Sequence, residues 1–306
     1  MSDPQRPDDG VSDPQRPDNG VSDPQRPDDG VSGTARQCSA PAPPNRQMRA
    51  LVTGAAREGG IGRAVVARLR DDGMEVLTLD VEPGCTFQVD VAGDELPALD
   101  DIDVLVCNAG LPTIFGAAHS IALDRWQRDL DVNLTGSFRV VQACLRGMRE
   151  RRFGRIVVIS SIAASHGMPA QIAYSASKAG LLGMTKTLAA ENAALGITAN
   201  AILPGLVASS GVLAMPQEII DAWLDRIPAG ELVRTRDIAD AVAFFASPAA
   251  GRVTGQELTI DGGQSLNTLS VTRSVVRGAA RSGAGERSGH ERGEHERGAN
   301  ERDERV

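Results

Sequence analysis

Between Met48 and roughly Asn267, short β-branched apolar runs alternate with longer stretches of helical period. Runs at Ala50–Thr53, Val76–Asp80, Val104–Cys107, Arg155–Ser160, Thr198–Leu203 and Leu258–Ile260 have the length and composition of buried strands, and Thr86–Val89 is a further candidate. Helices are predicted over Gly62–Asp71, Leu123–Glu150, Tyr174–Leu195 and Asp237–Ser247. Around the first of these, Ile61, Val65, Val66 and Leu69 form one apolar stripe, and Gly73 is placed to end the helix in a left-handed turn. Strands that are apolar throughout, alternating with helices, predict a parallel sheet covered on both faces. The expected fold is a single doubly wound α/β domain, three layers deep.

The ends of the chain lack such patterning. Residues 2–11, 12–21 and 22–31 are near-identical decapeptides of the type SDPQRPDDGV, and residues 32–47 continue the proline-rich character. Neither has an apolar face to bury, so residues 1–47 are expected to be disordered. Residues 269–306 become an Arg/Glu/Gly tract of alternating charge, with the same expectation. The catalytic domain is thus expected over residues 48–268. Met48 opens directly onto the first strand, so the preceding residues are either an appendage or lie upstream of the true start.

Composition removes several function classes. The net charge is −8, carried largely by the repeats, and the mildly acidic core has no basic surplus for nucleic acid. Four cysteines (Cys38, Cys85, Cys107, Cys144) show neither metal nor disulfide spacing, and no metal site is expected. No apolar run is long enough to span a membrane, and there is no signal-peptide pattern, so the expected location is the cytoplasm.

Tyr174, the only tyrosine, stands four residues before Lys178, one of two lysines. That step puts both side chains on one helical face, where an ammonium would favour the phenolate and make the tyrosine a usable acid/base. Upstream, Gly54, Gly60 and Gly62 lie between the first strand and an amphipathic helix, with Arg57 and Ile61 among them. Glycines there let backbone N–H groups and a helix N-terminus approach a pyrophosphate. Asp80 ends the second strand, where a carboxylate accepts from a ribose 2′-OH and repels a 2′-phosphate. It favours NAD over NADP, whereas Arg57 argues the other way. Singly, each residue has a structural alternative: a flexible turn, a strand end, a solvated helix pair.

Taken in order, these motifs resemble the short-chain dehydrogenase/reductase family over about Ala50 to Gly263, and the resemblance implies a Rossmann fold. Asp90-Val91 matches the family's adenine-contacting segment, and Asn108-Ala109-Gly110, after Cys107, its N-N-A-G. Asn133 matches the helix asparagine of the catalytic tetrad, and Ser161, thirteen residues before Tyr174, its serine, with Ser160 ranked behind it. Pro204-Gly205, Val207 and Ser209 fall in the segment beside the nicotinamide, and Asp261-Gly262-Gly263 matches the C-terminal signature. The resemblance implies that Tyr174 exchanges a proton with the substrate oxygen and that Ser161 holds that oxygen. It further implies that Lys178 lowers the Tyr174 pKa and bonds the nicotinamide ribose, and that Asn133 positions a water.

Three features depart from the family pattern. Five residues separate Gly54 from Gly60 where three are usual, Cys107 replaces an asparagine, and Ala92–Ile102 is so short that its crossover helix should be a stub or absent. A substrate pocket is expected from Leu111–His119, Ile162–Ile172 and Leu206–Trp223, apolar through Ile114, Phe115, Met168, Leu213 and Met215, with His119, His166 and Gln171 as polar candidates. A small carbonyl or secondary alcohol would fit. The pattern is most similar to 3-oxoacyl-[acyl-carrier-protein] reductases, so acyl carrier protein is a candidate partner, with an NAD-dependent alcohol dehydrogenase as the neighbouring reading. The resemblance also implies a homotetramer or homodimer built on the Leu123–Glu150 and Tyr174–Leu195 helices. A rival of another class is a catalytically silent dinucleotide-binding scaffold, which would bind cofactor without turning over any carbonyl.

Overall fold

The computed structural model describes residues 46–111 and 115–266. The disorder expected of the two ends falls almost wholly outside those residues. Seven parallel strands form one sheet: β1 (Arg49–Thr53), β2 (Glu75–Asp80), β3 (Phe87–Gln88), β4 (Val104–Cys107), β5 (Gly154–Ile159), β6 (Ile197–Pro204) and β7 (Glu257–Ile260). Their spatial order is β3-β2-β1-β4-β5-β6-β7. The direction of winding reverses between β1 and β4, whose Ala50 and Val52 pair with Val104 and Val106. Ligands of such sheets bind outside the strand carboxyl ends at that crevice.

The helices are α1 (Ile61–Asp71), α2 (Leu123–Leu130), α3 (Ser137–Arg151), α4 (Ala163–His166), α5 (Ile172–Asn192), α6 (Ser210–Leu213), α7 (Gln217–Leu224) and α8 (Thr235–Ala246). Both sheet faces are buried, as the uninterrupted apolar strands require. On one face Val52, Val106, Val157 and Ile202 pack against Val65 and Leu69 of α1 and Ile238 and Val242 of α8. On the other, Leu51, Leu105, Ile156 and Ala199 pack against Val140, Cys144 and Met148 of α3 and Leu181 and Leu188 of α5. The doubly wound architecture is as the apolar pattern predicts, and its Rossmann strand order is as the resemblance implies.

The predicted helix Leu123–Glu150 is interrupted by a π-helical turn over Asp131–Gly136. Small residues let it pack closely: a Cβ on Gly136 would stand 2.6 Å from Val91 Cγ2. The stretch from Ala92 to Ile102 contains no helix, matching its short length. Its carbonyls are met instead by arginines of α3. Arg139 donates to Val91 and Asp94, and Arg151 to Asp100 and Ile102.

Candidate active site

The glycine loop is shaped by close backbone contacts. Gly54 has φ +67°, and a Cβ there would lie 2.7 Å from Ala109 Cα. A Cβ on Gly62 would stand 2.2 Å from the Gly54 carbonyl oxygen, so only glycine lets α1 begin this close to β1. The lengthened loop is tied to α6 at Glu58 and Gly59. Ser210 N–H donates to Gly59 O at 3.3 Å and its hydroxyl to Glu58 O at 2.7 Å. Gly59 takes φ +65°, while Gly60 is the N-cap of α1. No side chain caps that helix and its first turn carries no acid, leaving a cradle suited to a pyrophosphate.

Across the crevice, Thr53 Oγ1 accepts from the N–H groups of Asn108 and Ala109, both at 3.0 Å. Asn108 Nδ2 donates to the carbonyls of Thr53 and Gly54 at 3.0 and 2.8 Å. The ends of β1 and β4 are thereby clamped at the switch point. Asp80 Oδ2 accepts from Ala56 N–H at 2.9 Å and Oδ1 from Glu82 N–H at 3.1 Å. Its carboxylate therefore braces the loop. Asp90 accepts from Ala92 N–H at 2.9 Å and Arg128 at 3.0 Å. The backbone bond, then the guanidinium, hold its carboxyl below the usual range.

Lys178 and Tyr174 lie on α5, with Lys178 Nζ 5.7 Å from the centre of the tyrosine ring. Nζ donates to the Ile159 carbonyl at 2.9 Å. Burial lowers the Lys178 pKa to about 8. Burial raises that of Tyr174, a hydrogen bond with Ser161 pulls it back, and the charge of Asp129 pushes it up again. The tyrosine pKa is raised, not lowered as expected. Desolvation of the phenol dominates, and Lys178 is itself driven toward its neutral form. Ser161 thus faces Tyr174, whereas Ser160 is buried and its hydroxyl donates to the Lys178 carbonyl at 2.8 Å, tying β5 to α5.

Asn133 occupies the π turn and is fully buried. Its Oδ1 accepts from Leu111 N–H at 2.9 Å and its Nδ2 donates to Ser177 Oγ at 3.1 Å. A Cβ on Gly110 would come 3.1 Å from Asn133 Oδ1 and 3.6 Å from Lys178 Nζ, so the asparagine, Gly110 and the lysine share one corner. π turns recur at functional positions because they break the regular helix ladder.

Ser161, Tyr174, Lys178 and Gly110 open onto a cleft of about 580 Å³, which Asn133 does not line. Arg57, Ile61, Asn108, Gly110, Ser161, Tyr174, Lys178, Pro204, Gly205 and Val207 all line it. Asp80, Asp90 and Val91 lie away from it, and the Val91 side chain is buried. Of the expected substrate residues, Phe115, Met168, Gln171 and Met215 line the cleft, while Leu213, His119 and His166 do not. Ile114 lies outside the described residues. Helices α6 and α7 were not expected; they bring Gly211, Val212, Ile219 and Trp223 to the mouth. The alternation of Ile219, Ile220 and Trp223 with charged residues was the available signal. Among the described residues, no group of side chains could hold a metal ion, and no helix is long and apolar enough to cross a membrane.

A family model described as enoyl-(acyl carrier protein) reductase matches residues 88–265. An acetoacetyl-CoA reductase from Shinella zoogloeoides is 40% identical over 237 residues, covering 70% of this chain and 97% of that protein. The chain belongs to the short-chain dehydrogenase/reductase family. A 3-oxoacyl-[acyl-carrier-protein] reductase from Vibrio cholerae is 37% identical over 236 residues, 70% of this chain and 96% of its own. A structure with bound NADP from Agrobacterium tumefaciens, assigned as a 2-deoxy-d-gluconate 3-dehydrogenase, superimposes with a TM-score of 0.66 at 33% identity, over 71% of this chain and 96% of that one. The protein is therefore an oxidoreductase of this family, whose members act on keto or CH–OH groups with a nicotinamide dinucleotide.

Proposed function

We propose that residues 48–268 form a reductase of 3-oxoacyl thioesters, with Tyr174 as proton donor and NAD preferred over NADP. The observation that carries this reading is the convergence of Ser161, Tyr174 and buried Lys178 on one largely apolar cleft. When bound, the dinucleotide supplies the hydride to the substrate carbon. The N-terminus of α1, Arg57 and Asp80 would hold its phosphates and ribose, and Lys178, Pro204, Gly205 and Val207 its other end. Tyr174 gives its phenolic proton to the substrate oxygen. Ser161 donates to the same oxygen and stabilises the charge that develops there. Lys178 lies beside the phenolate this leaves, which a proton taken up from solvent restores to the phenol, and Asn133 fixes the position of both Leu111 and Ser177. Phe115, Met168, Met215 and Trp223 would receive an acyl chain.

The relatives named for acetoacetyl-CoA and 3-oxoacyl-carrier-protein reduction support the substrate class. Asp80 supports NAD, and with it a second reading as an NAD-dependent alcohol dehydrogenase. Leu123, 78% exposed, with Phe138 and Ile172, supports a homodimer or homotetramer built on α2, α3 and α5. The cytoplasm, where such thioesters are reduced and buried thiols such as Cys107 stay free, is the proposed location. The test is a parallel screen of acetoacetyl-CoA, 3-oxoacyl-carrier protein and secondary alcohols with NAD(H) and NADP(H). Turnover of alcohols alone would replace the first reading by the second, and cofactor binding without any turnover would sink both.

A further inference from the structure

The glycine loop and the substrate side of the cleft meet at Ser210, the first residue of α6, which has no part in the mechanism above. Its N–H reaches Gly59 O at 3.3 Å and its hydroxyl Glu58 O at 2.7 Å. The approach is close: a Cβ on Gly59 would stand 3.3 Å from Ser210 Cβ, and one on Gly211 3.5 Å from Arg57 Nη1. Little else holds α6. Ala208 N–H, ahead of it, donates to Val233 O at 2.7 Å, while Leu213, Ala214 and Met215 donate only to Ser209, Ser210 and Val212. Leu213 is 60% and Met215 38% exposed, so apolar packing does not pin the helix either. The loop is as lightly held at its tip. Gly60 N–H closes a turn on Arg57 O and Ala56 is fixed by Asp80, which leaves the Glu58 and Gly59 carbonyls to Ser210.

We propose that Ser210 is a positioning residue: it straps α6 to the phosphate loop, so that a dinucleotide ordering the loop also fixes Val212 and Met215 at the substrate cleft. Segments with few buried contacts open locally at low cost. Two such segments joined at one residue share the entropy of ordering, so fixing the first makes the second easier to fix. Linkage makes the effect reciprocal: cofactor raises the affinity for substrate, and substrate holds the cofactor by the same factor. This rests on the reading above, in which the loop and the N-terminus of α1 hold the dinucleotide phosphates and α6 walls the substrate. The strap itself is a property of the lengthened loop, since its bonds are made by Glu58 and Gly59.

Hydrogen exchange of peptides spanning residues 211–215 tests the strap in the full-length protein, with and without a saturating oxidised dinucleotide, NAD or NADP, whichever binds tighter. The dinucleotide alone should slow exchange there by about fivefold or more, the lower end of ordinary coupling between sites. Ser210→Thr, which keeps the hydroxyl, should respond in the same way, and Ser210→Ala should not respond. Slowing that survives in Ser210→Ala would mean that the dinucleotide touches α6 directly, and no slowing in the native protein that loop and helix move independently. Either result overturns the proposal. Calorimetry then separates it from the substrate reading. Acetoacetyl-CoA should bind the oxidised-dinucleotide complex, which cannot reduce it, about fivefold or more tighter than the free protein, and Ser210→Ala should remove that advantage. An advantage unchanged in Ser210→Ala would overturn the strap. If acetoacetyl-CoA does not bind while the dinucleotide still slows exchange through Ser210, the substrate class fails and the strap stands.

Discussion

Lys178 holds its Nζ 5.7 Å from the Tyr174 ring centre and at the same time donates it to the Ile159 carbonyl at 2.9 Å. The four-residue step on α5 explains the first contact, and the end of β5 the second. Burial in this corner costs the ammonium, and the lysine pKa falls from 10.5 to about 8. Between those values the unfolded chain binds the proton and the folded one does not, so stability rises with pH. The penalty is complete below about pH 8 and fades as pH approaches 10.5. Urea midpoints should therefore climb from pH 8 to 10 in the native protein relative to Lys178→Met. Parallel curves for the two would refute the assignment.

Tyr174→Phe removes the proton donor and leaves the ring's packing in place. Reduction should fall by about 10²–10⁴-fold, the usual contribution of a positioned general acid. Cofactor affinity, read from the fluorescence of Trp223 at the cleft mouth, should be retained. Full activity in this variant would exclude the mechanism. Ser161→Ala should lower kcat while leaving Ser160 to tie β5 to α5.

Asp80→Ala should weaken NAD binding by roughly tenfold or more, as loss of a charged hydrogen-bond acceptor does, while NADP binding stays level or improves. Because Asp80 also accepts from Ala56 N–H, the loop should loosen too, and proteolysis near Arg57 would report it. Equal losses for both cofactors would mean that the carboxylate only braces the loop.

The sheet was legible because its strands are apolar on both faces, and the Tyr174–Lys178 pair because helical spacing alone brings the two together. What escaped depended on the third dimension. The π turn around Asn133 leaves no mark in hydrophobic period. Ser161 ranks ahead of Ser160 through the family resemblance alone, because adjacent residues past a strand end differ only in direction. The upward shift of Tyr174 needed its burial and the charge of Asp129, a residue that reads in sequence as one more polar position on α2. The two extra residues of the glycine loop were visible, but their attachment to Ser210, 152 positions away from Glu58, was not.

Gly147 shows how the missing crossover helix shaped the rest of the fold. A Cβ there would stand 1.7 Å from the Asp100 carbonyl oxygen and 2.9 Å from Arg151 Nη1. With no helix over Ala92–Ile102, the strand's approach runs directly on α3, and a hydrogen is all that fits between them. Gly147→Ala adds helix propensity worth up to about 1 kcal/mol, but overpacking of this kind costs about 1–3 kcal/mol and at times more. Here both partners are backbone or anchored guanidinium, so the upper end is expected. Arg151→Ala should cost less, about 1–3 kcal/mol, because it strands the Asp100 and Ile102 carbonyls without forcing the elements apart. Chemical denaturation of both variants checks the order. A Gly147→Ala protein as stable as the native one would mean that the 92–102 segment can move off α3 at little cost, and that Arg139 and Arg151 do not fix it there.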